Sequence, residues 1–199
     1  MNIELIRNDF PILKTKVGGH QIVYFDNAAT TQRPLPVVNA VLDYTTHENG
    51  NPHRGAHIFA ISASEAYDTS KEVVRDFIHA RSEKEIIYTR NTSESLNLVA
   101  RSYGETHLKA GDHILITIAE HHSNLVTWQR VAQKTGATLD YIYVDKETGH
   151  FPEEELKKID DPRVKLFAFA EVSNVLGIDF DPKPLIQRAH AHGAIVVLA

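Results

Sequence analysis

Between residues 85 and 199, short apolar runs and stretches of helical spacing take turns almost without interruption. The runs are "EIIYT" (85–89), "HILIT" (113–117), "TLDYIYV" (138–144), "VKLFAFA" (164–170) and "AIVVL" (194–198). Each is short, rich in β-branched or aromatic residues and apolar nearly throughout, the pattern of strands buried on both faces. Helical spacing fills the gaps at 92–104, 124–135, 152–159 and 182–192. Strands that alternate with helices imply βαβ crossovers, so the pattern predicts an α/β fold with a mainly parallel, doubly wound sheet.

The first part of the chain is written differently. A short helix (Ile3 to Asn8), the string "DFPIL" and a Gly18-Gly19 turn form an N-terminal extension over residues 1–20. "IVYF" (22–25) predicts a further short strand, and helical spacing covers 35–48 and 60–80. The loop "ENGNPHRGAH" between these helices is rich in Gly, Asn and Pro, the residues that interrupt regular structure. No repeat, low-complexity tract or long linker divides residues 21–199, which read as one domain.

Composition removes several classes of function. The formal net charge is −5, with Lys and Arg scattered singly, so the basic stripe of a nucleic-acid binder is missing. No apolar run approaches the roughly 18 residues of a membrane span, and "MNIELIRNDFPIL" lacks a signal peptide's apolar stretch. Cytoplasm is the expected compartment. The count of cysteines is 0, which excludes disulfides, thiolate metal sites and a nucleophilic cysteine within these residues. The 12 histidines have no HExxH spacing, and no metal site is expected.

In a parallel sheet the loops after the strands converge on one edge. Three of them carry dense polar text: "RNTSES", "AEHHSN" and "EVSNVLG". In the first, Asn91 can cap the next helix, with Glu94 completing a box-like pair. Thr92 and Ser93 then set two hydroxyls and fresh backbone N–H groups at the positive end of a helix, which suits a phosphate. The alternative is a cap that binds nothing. In the second, a histidine of the pair His121-His122 could stack on a flat ring or carry a proton, or could simply hydrogen-bond its own loop. In the third, Ser173 and Asn174 offer polar groups to a ligand hydroxyl or serve turn chemistry around Gly177. Three such clusters at one sheet edge favour a site over three unrelated caps. No GxGxxG or GxxxxGK[ST] occurs, which weakens dinucleotide and P-loop readings.

Five strings, "YFDNAATTQRP" (24–34), "NPHRGAHIFA" (51–60), "YTRNTSESLNLVA" (88–100), "AEHHSNLVTWQ" (119–129) and "EVSNVLGI" (171–178), carry a resemblance that runs through the whole chain. In that order and spacing the sequence resembles the N-terminal half of a class V, fold-type I pyridoxal 5'-phosphate enzyme, specifically a SUF-type cysteine desulfurase. The resemblance implies that Thr92 and Ser93 hold the cofactor phosphate. It implies that His122 stacks on the pyridine ring and assists proton transfer, and that Asn174 hydrogen-bonds the ring's phenolic oxygen. Ala28 and Ala29 would lie near the substrate carboxylate, and His53 and Arg54 in a loop that reaches a neighbouring site across a homodimer. Enzymes of this kind take sulfur from L-cysteine, giving L-alanine and a persulfide that passes to a sulfur-acceptor protein for iron–sulfur cluster assembly.

Departures from the family pattern set further expectations. The family's ring-nitrogen aspartate follows the last strand, where this chain has Ala199. Its S-G-H-K lysine, nucleophilic cysteine and carboxylate-binding arginine have no counterpart, and Pro52 stands where a β-branched residue is usual. None of the 11 lysines has a comparable context; Lys84, Lys109, Lys134 and Lys157 read as surface residues. Residues 21–199 are therefore expected to form an incomplete cofactor-binding domain, poorly soluble or dependent on a partner, holding the cofactor noncovalently and inactive alone. Two other readings are a non-catalytic partner that regulates a full-length relative and a phosphate- or nucleotide-binding α/β domain.

Overall fold

The computed structural model describes residues 2–199, which divide into two compact units on either side of the Tyr88–Thr89 boundary. The first unit begins with helix α1 (Ile3–Asn8), capped by the Asn2 side chain, which accepts from the Glu4 and Leu5 N–H groups. A two-residue hairpin follows, β1 (Lys16–Val17) against β2 (His20–Gln21), with Gly18 and Gly19 at φ 60° and 84° in its turn. Both central residues need the left-handed region, as the Gly18-Gly19 signal predicts. Helices α2 (Leu35–Asp43), continued by a π-turn to Glu48, and α3 (Ile58–Phe77) complete the unit. Among its described residues only Ala60, Ala63 and Ile86 are buried.

The second unit holds the sheet. Residues 92–107 are helical throughout: α4 (Thr92–Val99), a π-turn to Gly104, then α5 (Glu105–His107). Strands β3 (His113–Thr117), β4 (Thr138–Ile142), β5 (Val164–Phe169) and β6 (Ile195–Leu198) pair in the order β4-β3-β5-β6, parallel throughout. Between them come α6 (His122–Thr135), α7 (Glu153–Leu156) with a 3-10 turn to Asp160, and α8 (Pro182–Ala191).

Alternation along the strands builds a core on each face. Ile114, Ile116, Leu166 and Ala168 face Ala100, Trp128 and Val131 from the 92–107 helix and α6, with Leu108 from the residue just after the first. Leu115, Phe167 and Phe169 face Ile159, Leu185 and Ala189 from the 3-10 turn and α8. Helices cover both faces, so the sheet is doubly wound as predicted. Among the described residues, no helix is long and apolar enough to cross a membrane.

Two predicted strands do not form. Ile22 donates its N–H to Thr15 O at 3.0 Å, but residues 22–25 join no strand among the described residues. Ile86 is extended (φ −91°, ψ 117°), and residues 86–89 likewise join no strand among the described residues. An apolar run supplies side chains for a strand; the ladder needs a partner backbone, which local sequence does not encode. The ends of β4 and β5 come one or two residues early for a definite reason. Glu155 Oε2 accepts the Tyr143 N–H at 2.9 Å, and Glu120 Oε1 accepts the Ala170 N–H at 3.1 Å. In each case a carboxylate takes the N–H that would have extended the strand.

Candidate functional site

The three polar loops share a construction, in which one residue of each secures the backbone and its neighbour is left with unspent polar groups. At the start of α4, the Asn91 side chain accepts the Glu94 N–H at 2.9 Å, while Glu94 Oε2 accepts the Arg90 N–H at 2.8 Å. The Arg90 guanidinium also reaches this carboxylate and holds the Glu94 carboxyl below its ordinary range. Thr92 and Ser93, in the first turn, are exposed, and their hydroxyls meet no hydrogen-bond partner among the described residues.

The same division recurs before α6. His121 caps the helix, its Nδ1 accepting the Ser123 N–H at 3.2 Å. His122 is exposed, edge-on to the His121 ring at 6.1 Å, and its nitrogens have no partner among the described residues. After β5, Ser173 is 1% exposed; its hydroxyl donates to Ala119 O at 2.9 Å and accepts from the Val175 and Leu176 N–H groups. Asn174 beside it is exposed and unpaired among the described residues. The capping and turn readings of these loops are therefore satisfied by Asn91, His121 and Ser173.

Packing brings the loops to one end of the unit. Asn97 Nδ2 donates to Thr127 Oγ1 at 3.3 Å, Gly104 packs on Trp128 and Val131, and Glu105 pairs with Lys134. The contact positions advance together along both chains, so the 92–107 helix and α6 run parallel and start at the same end. Since α6 follows β3, that end is the sheet's C-terminal edge, where the loop after β5 also lies. Ser173 ties that loop to the one after β3 through Ala119 O. Thr92, Ser93, His122 and Asn174 thus all belong to this edge.

Beneath the loops lies a residue that the sequence reading passed over. Glu120, 9% exposed, accepts from the Thr117 hydroxyl and the Ala170 N–H on Oε1, and from Asn124 Nδ2 at 2.7 Å on Oε2. Burial pushes its carboxyl above the ordinary range, against the opposing pull of these three donors. The only signal in the sequence was an acidic residue three positions after a buried strand.

Ala28, Ala29, His53 and Arg54 belong to the first unit. Ala28 and Ala29 sit in a turn where Asp26 O accepts the N–H groups of Ala29 (3.2 Å) and Thr30 (3.0 Å). His53 has φ 59°, left-handed for a residue with a Cβ. Its N–H donates to Ser64 Oγ at 2.8 Å, and its ring lies edge-on to Tyr67 with Nε2 3.5 Å from Asp68. Arg54 is exposed.

A parallel α/β domain with spent caps and unspent neighbours at its strand ends defines the class: a protein with a polar binding edge on a doubly wound sheet. Comparison makes this specific. The family model "Aminotransferase class-V" matches residues 23–198, and the chain belongs to that family. A "Probable cysteine desulfurase" of Synechocystis sp. is 45% identical over 193 residues, 97% of this chain and 46% of the relative. Among solved structures, the apo cysteine desulfurase of Thermococcus onnurineus NA1 superposes with a TM-score of 0.87 at 40% identity, covering 98% of this chain and 46% of that one. The cysteine desulfurase CsdA of Escherichia coli gives 0.80 at 32% identity, covering 100% and 48%. The chain spans about half the length of these three relatives and about a third of some others.

Proposed function

We propose that these residues supply the N-terminal part of the pyridoxal 5'-phosphate cradle of a SUF-type cysteine desulfurase. The observation that carries this reading is the division of labour at the sheet edge: Asn91, His121 and Ser173 do the capping, and Thr92, Ser93, His122 and Asn174 remain available. The donor set fits the cofactor. Two hydroxyls and the first N–H groups of α4 suit a phosphate dianion. An exposed imidazole offers a face for a pyridine ring and a nitrogen that can move a proton near neutral pH. An asparagine amide can donate to a phenolic oxygen. When bound, the cofactor serves as the electron sink for chemistry at the substrate's α-carbon.

On this reading Ala28 and Ala29 leave room beside the substrate carboxylate, and His53 and Arg54 serve a neighbouring site in a homodimer. L-cysteine is the substrate and a separate protein accepts the sulfur. With no cysteine among the 199 residues, no persulfide can form on them. The experiment is an assay for L-alanine from L-cysteine and pyridoxal 5'-phosphate. The chain alone is expected to form none, while the chain with a second polypeptide carrying the remaining half of the Synechocystis relative is expected to form it. Alanine from the chain alone would overturn the assignment of roles. A stable complex that forms none would favour the second reading, a non-catalytic partner of a full-length relative.

A further inference from the structure

The geometry points to Glu120 as a positioning residue: its buried carboxyl group locks the loops after β3 and β5 together and so sets His122 and Asn174 for the ring, without contributing to the phosphate cup. The inference rests on the reading above for what is positioned, and on the structure alone for the lock.

Every neighbour of this carboxylate is a donor. Trp128 Nε1–H donates to Asn124 Oδ1 at 2.7 Å, which fixes the Asn124 amide with its NH2 toward Glu120 Oε2 at 2.7 Å. Asn124 and Trp128 are 1% and 0% exposed, so neither can turn to water instead. On Oε1, the Thr117 hydroxyl arrives from the end of β3 and the Ala170 N–H from the end of β5, 50 residues away. One side chain therefore joins two strand ends to the first turns of α6, directly beside His122. Ser173, through Ala119 O, makes the second tie between the same loops.

The carboxyl group is not placed there for stability. Burial raises the carboxyl's pKa above that of an unfolded chain, so the folded state favours the protonated form. Stability linked to that proton is present below the unfolded value of about 4.5 and is lost as pH rises through the raised value, so ionisation costs stability. A carboxylate kept in spite of that cost is explained by the acceptors it provides. Glutamine keeps the shape but breaks the pattern. Its NH2 would face either the Asn124 NH2 or, with the amide flipped, the Ala170 N–H, and turning Asn124 to answer the first would leave two donors facing each other at Trp128.

The test uses Glu120→Gln in the 199-residue chain, with pyridoxine 5'-phosphate as ligand, because it lacks the aldehyde that would label surface lysines. Its affinity is expected to fall about tenfold, against less than twofold for inorganic phosphate. In the ligand-free chain, the Trp128 indole N–H is expected to exchange with solvent at least about tenfold faster. Amides of 119–124 and 170–177 should quicken together while β3 and β5 stay protected. Equal weakening of both ligands would overturn the inference, as would unchanged exchange in both loops. If the wild-type chain binds neither ligand, the proposed function fails, and the exchange data still decide the lock. Should Glu120→Gln not fold, Thr117→Val removes one donor alone and is expected to give the same split at about threefold.

Discussion

Trp128→Ala is expected to lower the stability of the second unit by about 3–5 kcal/mol, the range for emptying a fully buried aromatic site. The indole is 0% exposed, between Ile114, Ile116 and Leu166 of the sheet and Val131 of its own helix. Alanine would leave a cavity and also deprive the buried Asn124 Oδ1 of its donor, two costs that add at one position. Against the 5–15 kcal/mol that a typical domain has in total, roughly a fifth or more is removed. Because this is the 1 tryptophan of the chain, urea unfolding has to be followed by circular dichroism. With an m-value of about 1–3 kcal/mol/M, the midpoint should fall by at least about 1 M. Trp128→Phe, which keeps most of the volume and loses only the N–H, should cost about 1–2 kcal/mol. A shift below about 0.3 M for the alanine variant would mean that this face of the sheet is not the core.

The second large effect separates binding from folding. Replacing both Thr92 and Ser93 with alanine should weaken pyridoxine 5'-phosphate binding by at least about a hundredfold, since hydrogen bonds to a charged group contribute about 1.5–3 kcal/mol each. The same change should leave stability within about 0.5 kcal/mol, because both hydroxyls are exposed and unpaired among the described residues. Asn91→Ala should behave in the opposite sense. It removes the cap on the Glu94 N–H and should cost about 1 kcal/mol of stability, with a smaller effect on the ligand. Isothermal titration beside thermal unfolding reads both quantities. A double variant that binds as well as the wild type would remove the phosphate cup from the account.

The sheet was legible where strands are buried on both faces. "HILIT" and "VKLFAFA" are continuous apolar runs set between helices, and both form within a residue of their predicted limits. "IVYF" and "EIIYT" have the same local character and form no ladder, since pairing depends on a neighbouring backbone. In "EIIYT" Ile86 is buried while Ile87 is 67% exposed, a half-covered segment that its composition does not announce. The polar loops were legible in part residue by residue. At α4 the text gave the cap to Asn91 and the free hydroxyls to Thr92 and Ser93, as the structure has them; His121 and His122 are equivalent as text, and helix geometry decides which one turns back on the backbone. Glu120 was invisible because its partners lie at 117, 124 and 170, and only the parallel register of β3 and β5 brings the last of these to it.

The central claim is that one edge of the second unit is a ready receptor for a phosphorylated pyridine. Its most direct test is a titration of the ¹⁵N-labelled chain with pyridoxine 5'-phosphate, followed by two-dimensional NMR. The account predicts saturable shifts with a stoichiometry of about one, confined to residues 92–94, 121–124 and 173–175, with the His122 ring and Asn174 amide moving in step with the Thr92 and Ser93 amides. Shifts that never saturate, or that gather elsewhere on the chain while these three loops stay still, would contradict it.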